Sequence, residues 1–193
     1  MDRHLSQLLI LLILMPALAM GSSSAPVWVV GQCHAPASTQ KEDFIRQVAF
    51  QASSWTDSTG FEVCGRLARD EQGAWAMTLT TNYSQLACLV VDGLAPEDYT
   101  VIGDKFHTHP APDELGRIAI HPHTRQFTSA QGSHILDGLT HIQLSNPQGF
   151  SNQDLLNGGG YLATAGRLLF HKDGQTQDLG LVEPSTPVCS LSR

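Results

Sequence analysis

Residues 107–109 read His-Thr-His. On a β-strand, side chains two positions apart point to the same side, so both imidazoles can converge on one ion. A helix does not bring residues at that spacing together. Two histidines make only part of a site, and a surface or core pair needs no metal at all. A further carboxylate or imidazole has to come from elsewhere, and Asp154 offers one. It follows Ser151 by three positions in Ser151-Asn152-Gln153-Asp154, which reads as the start of a short helix with both side chains near its N-terminus. The same spacing is that of an ordinary helix cap, worth about 1 kcal/mol without any metal. Glu62, in Phe61-Glu62-Val63-Cys64-Gly65, is in isolation a solvated carboxylate beside an aromatic on a candidate strand.

A second His-x-His, His121-Pro122-His123, competes for attention, and His134 and His141 make the same region rich in imidazole. These four suit a second metal site or a metal-scavenging loop, but proline between the first two argues against a strand. They read best as part of a solvated loop.

Taken in order, Glu62 followed by x-Cys-Gly after a long first helix, His107-Thr108-His109-Pro110 at a strand end, and Phe150-Ser151-x-x-Asp154 opening a short helix resemble the signature of the JAMM metalloproteases, also called the JAB or MPN domain. The resemblance covers roughly residues 41 to 171, and its specificity lies in the combination of short motifs. It implies an α+β fold, a mixed, curved β-sheet flanked by helices in an αβα sandwich. It implies a catalytic Zn²⁺ with His107, His109 and Asp154 as ligands and a water in the fourth position. Glu62 would take the proton of that water and hand it to the leaving amine, while Ser151 would help hold the oxyanion. The reaction class is hydrolysis of a peptide or isopeptide bond, and the partner a peptide or protein substrate. The chain departs from the family in one respect: residues 110–150 stand between the second histidine and the serine, where typical members have a handful. A surface loop absorbs such an insertion at about 0.6 kcal/mol per doubling of its length.

The elements that must position these residues follow from periodicity. From Lys41 to Trp55 the apolar residues Phe44, Ile45, Val48, Ala49 and Ala52 recur at helical spacing, with Ser38 or Thr39 available as a cap and Gly60 as a stop. Phe61 to Leu67 and Trp75 to Thr81 read as a hairpin around Asp70-Glu71-Gln72-Gly73, and Leu86 to Val91 and Thr100 to His109 as further strands, the last stopped by Pro110. Residues 110–150, rich in Pro, His, Gly, Ser and Thr, read as an insertion or lid. The short helix at Ser151 ends at Gly158-Gly159-Gly160, and Tyr161 to Thr164 and Arg167 to His171 form two strands around Ala165-Gly166. The tail, 183–193, carries little pattern and is expected to be held only by Cys189.

At the amino terminus, Arg3 and His4, the apolar run from Leu8 to Leu14 and the small residues Ala17-Leu18-Ala19 read as a secretory signal peptide over 1–19, with cleavage as late as about residue 25. The run is short for a bilayer span and polar Gly21-Ser22-Ser23-Ser24 follows, so no stable membrane anchor is expected. About 170 residues remain, enough for one domain, with the catalytic part over 38–182. The net charge of −7 is spread along the chain with no basic run to follow phosphates, which excludes nucleic acid as an expected partner. Four cysteines, Cys33, Cys64, Cys88 and Cys189, suit two disulfides in an exported protein, periplasmic or secreted. Three pairings are possible. Cys33 with Cys189, near the two mature ends, and Cys64 with Cys88, on neighbouring candidate strands, is the favoured one. Domains of the JAMM type also occur as scaffolds without activity, and a metal-binding protein built on the histidines is a third possibility.

Overall fold

The computed structural model describes residues 26–120, 139–144 and 146–192. The proposed signal peptide, His121, His123 and His134 lie outside the described residues. The fold is mixed α+β. An eight-stranded sheet is built from β1 (Trp28–Ala35), β2 (Cys64–Arg69), β3 (Trp75–Thr81), β4 (Thr100–Thr108), β7 (Gly160–Thr164), β8 (Arg167–Lys172), β9 (Gln175–Leu181) and β10 (Cys189–Leu191). Their order is β10-β1-β3-β2-β4-β7-β8-β9. Every pairing is antiparallel except that of β4 with β7. Two short strands, β5 (Arg117–Ala119) and β6 (His141–Gln143), pair separately. The described helices are α1 (Lys41–Thr59) and α2 (Asn152–Leu156).

Helix α1 buries the apolar stripe expected from the sequence, Phe44, Ile45, Val48, Ala49 and Ala52, and with it Trp55, against one face of the sheet. Met77, Leu67, Phe106, Tyr161 and Leu168 meet it there. Gly60, in the left-handed conformation at φ 78°, returns its N–H to the Thr56 carbonyl and ends the helix. The start differs from expectation. The N-cap is Gln40, not Ser38 or Thr39, and makes no side-chain cap bond, while the Thr39 carbonyl accepts from Trp75 Nε1 at 3.0 Å.

Three further differences have physical reasons. Residues 86–91 form no strand: both edges of β2 and of β3 are filled, as are those of β4, so this segment lies over a sheet face and not in the ladder. The sheet also runs past both ends of 38–182. β1 takes residues before it, and β10, paired in register with β1, takes residues after it. The tail is therefore held by more than Cys189: Ser192 N donates to Val30 O and Trp55 Nε1 to Ser192 O, each at 2.8 Å. Both favoured disulfides are present, Cys33–Cys189 and Cys64–Cys88. They agree with an oxidising, exported environment. Among the described residues no helix is long and apolar enough to cross a membrane.

Candidate metal centre

Strand β4 alternates as its sequence requires. Phe106 is buried in the core under α1, and Thr108 bonds to Thr56 of that helix through their hydroxyls at 2.5 Å. His107 and His109 therefore face the other side of the sheet. There Phe150, Leu162 and Leu169 form a small apolar cluster, and the Phe150 ring lies 6.0 Å from that of His107. Leu162 is the register partner of His107 on β7, and Cys64 its partner on β2.

Asp154 arrives from α2, which sits between β6 and β7. Gly159 and Gly160, at φ 67° and 122°, let the chain turn from this helix straight into β7. A Cβ on Gly160 would come 2.6 Å from the Lys105 carbonyl oxygen, so only glycine permits the close approach that holds α2 over the end of β4. The carboxylate then does two things at once. It completes a capping box, with Oδ2 accepting from Ser151 N at 2.8 Å and from Ser151 Oγ at 2.7 Å, while Ser151 Oγ accepts from Asp154 N at 3.2 Å. It also faces the histidines: His107 Nε2 lies 3.4 Å from Oδ1 and His109 Nε2 3.4 Å from Oδ2. Capping and ligation, alternatives in the sequence, are compatible in space.

Glu62 precedes β2 and does not belong to it. Its N–H donates to Ser84 O at 2.8 Å, its carbonyl accepts from Thr81 Oγ1 at 2.7 Å, and Val63 bonds through both its backbone groups to Thr108. The side chain is 5% exposed and so is not the solvated carboxylate that its sequence context suggested. Burial pushes the carboxyl up to about 7, with His109 pulling it down and Asp154 raising it further. For Asp154, burial alone would act upward, but His107 and His109, with the Ser151 hydroxyl, hold it well below the usual carboxylate range.

His107, His109 and Asp154 each offer one ligand atom within 4.8 Å of the others and could hold a metal ion. The residues fit such an ion on their own geometry. Among the described residues the buried His107 Nε2 makes no hydrogen bond and stands 3.4 Å from Asp154 Oδ1, as two ligands of one ion would. Two donors each about 2.1 Å from one ion at a tetrahedral angle stand about 3.4 Å apart, and each imidazole stands 3.4 Å from a different oxygen of the carboxylate, His107 from Oδ1 and His109 from Oδ2. Two imidazoles and a carboxylate also leave a coordination position open, as catalytic sites do. His141 is exposed in β6, its Nδ1 3.0 Å from Thr140 Oγ1, and takes no part.

The site opens into a cleft of about 620 Å³ that is lined by Glu62, His107, His109, Ser151 and Asp154 together. One wall is the segment 85–90, which the Cys64–Cys88 disulfide fixes beside His107. The described parts of the insertion add Pro110, Ile118, Leu144 and Asn146 to the lining. Arg66 and Lys105 line the cleft as well and were missed in the sequence. Each lies two positions from Cys64 or His107, but only the β2–β4 register, absent from the sequence, brings the two together on that face. Compared with models of protein families, with curated proteins and with solved structures, the chain matches none.

Proposed function

We propose that this protein is an exported, zinc-dependent hydrolase of peptide or isopeptide bonds, built and operating in the manner of the JAMM metalloproteases. The observation that carries the reading is the convergence of His107, His109, Asp154 and Glu62, drawn from three segments far apart in the chain, in one cleft. His107, His109 and Asp154 would hold the zinc, and Ser151 orients the carboxylate by its two hydrogen bonds to Oδ2. When bound, zinc supplies Lewis-acid polarisation of the scissile carbonyl and brings the pKa of a coordinated water toward about 7. The chain's own contribution is proton transfer. A carboxylate poised at about 7 can accept the proton of the attacking water and return it to the departing amine at neutral pH. Glu62 itself is buried, 5% exposed, so bulk water has little access to that base. The two disulfides support export, and the sheet with α1 packed on one face is compatible with the JAMM sandwich.

The test is metal analysis and turnover on the same samples. Wild-type protein should bind close to one zinc per chain and cleave internally quenched peptides or an isopeptide-linked conjugate. Glu62→Gln should keep the zinc and lose on the order of 10²–10⁴ in kcat. His107→Ala should lose the metal. Zinc bound without any turnover would identify a binding module in place of an enzyme, and full turnover by Glu62→Gln would remove the mechanism.

A further inference from the structure

Strands β2 and β4 run side by side through the candidate centre, in a register that pairs Cys64 with His107 and Arg66 with Lys105. Positions two apart on a strand share a face, so Arg66 and Lys105 stand on the same side of the sheet as His107, about 6.6 Å along it. Both line the cleft. The chain beyond His109 adds the apolar Pro110, Ile118 and Leu144 to the lining. Along β4, then, the cleft carries two cations on one side of the ligand histidines.

The state of those cations shows what they take. Arg66 Nη2 already holds a carboxylate, that of Asp92, at 2.5 Å, and Nη1 reaches Gly103 O at 3.3 Å. Asp92 is a weak occupant, because its side chain is 85% exposed on the loop that follows Cys88, although that of Arg66 is only 19% exposed, and a partner so open to water is readily exchanged. Among the described residues Lys105 Nζ donates to the Asn157 carbonyl, at 2.8 Å and exposed. The remaining charged groups lining the cleft are Glu62 and Asp154, both on the metal side. Although the chain carries −7 overall, salt screens exposed charges beyond about 8 Å, so local cations set the preference.

We propose that Arg66 and Lys105 form a carboxylate subsite, so that the hydrolase selects amide substrates bearing an acidic group to one side of the scissile bond, and that Asp92 occupies Arg66 until substrate displaces it. This rests on the hydrolase reading for its catalytic consequence but not for its binding consequence. An arginine fork suits a carboxylate by bidentate bonding, and a lysine beside it adds a point charge.

The experiment uses the zinc-loaded mature protein and one set of quenched peptides sharing a scissile bond, with Glu, Gln or Lys at successive flanking positions and the C-terminus free or amidated. At one position Glu should exceed Gln by at least tenfold in kcat/KM, chiefly through KM. In Arg66→Gln and in Lys105→Gln that ratio should fall towards one, and in Arg66→Glu the Lys peptide should become the better substrate. A preference that follows the free terminus identifies a chain-end carboxylate as the ligand, and one that follows Glu identifies a side chain. Binding of the same peptides to Glu62→Gln protein, read by fluorescence anisotropy, separates the two readings. Acidic selectivity in binding without turnover by wild type would leave the subsite standing and remove the hydrolase. Turnover with equal rates for Glu, Gln and Lys would do the reverse. A thermal midpoint within a few degrees of wild type certifies that each variant is folded.

Discussion

Glu62 is held in a costly place. A carboxyl whose folded value stands near 7, against 4.5 in the unfolded chain, keeps its proton in the folded protein over a range where the unfolded chain has released it. The sign follows. Its stabilising contribution is complete below pH 4.5, declines as pH rises through the interval up to about 7, and is gone above it. For the metal-free protein the loss is up to about 3 kcal/mol at 1.36 kcal/mol per unit. Glu62→Gln cannot titrate. With chelator present, urea unfolding of wild type and Glu62→Gln at pH 4.5 and 8 should therefore differ, the variant losing less stability between the two pH values. Equal slopes would mean that Glu62 is solvated in the folded state. A carboxylate kept at that cost is expected where chemistry needs a base near neutrality. Nothing in Phe61-Glu62-Val63 discloses this burial, because it comes from Ser84 and Thr108, which neighbour Glu62 only in the folded chain.

At the scale of elements, α2 is the part on which the candidate centre depends most. It is short, buries none of its residues, and is placed by its cap and by the glycines after it. Ser151→Ala removes the cap acceptor and one of the two bonds that orient Asp154 Oδ2. The expected result is a loss of about 1 kcal/mol in stability and 10–100-fold in zinc affinity. Zinc titration against a competing chelator, beside urea unfolding, checks both. A stability loss with unchanged affinity would leave the serine a cap and nothing more. The same helix shows how far the sequence was legible. Ser151 and Asp154 were identifiable as a pair at a helix start, yet spacing does not separate a cap from a ligand when one carboxylate serves as both. α1 and β3 were readable because each carries its own periodicity on buried residues. β1 was not, since Gly31 interrupts its apolar run. That glycine is there for β10, as a Cβ would stand 2.1 Å from Ser190 O. β9 is a mostly exposed, polar edge strand without alternation, and β10 is three residues long. Arg66 and Lys105 required the β2–β4 register, which sequence does not print.

Over the whole molecule the two disulfides do different work, although both fasten strands of one sheet. Cys33 on β1 meets Cys189 on β10 across a register pair and closes a span of 156 residues, far from the candidate centre. Cys64 is the neighbour of His107 on β2, and its bond to Cys88 closes only 24 residues but fixes the wall of the cleft. Loop-closure entropy, on which the worth of a cross-link depends in the chain-entropy description, favours the longer loop: about 5 kcal/mol against about 3.5 kcal/mol. Function should rank them the other way. Replacing Cys33 and Cys189 together by alanine should cause the larger fall in thermal midpoint and leave zinc stoichiometry and kcat/KM close to wild type at temperatures where the protein is folded. Replacing Cys64 and Cys88 together should cost less stability but release residues 85–90 from the site and lower kcat/KM, with zinc retained on His107, His109 and Asp154. Calorimetry, metal analysis and peptide turnover on both double variants decide the matter. If the Cys64/Cys88 variant turned over substrate as wild type does, the wall would be scaffold, and selectivity would have to reside on the strands alone.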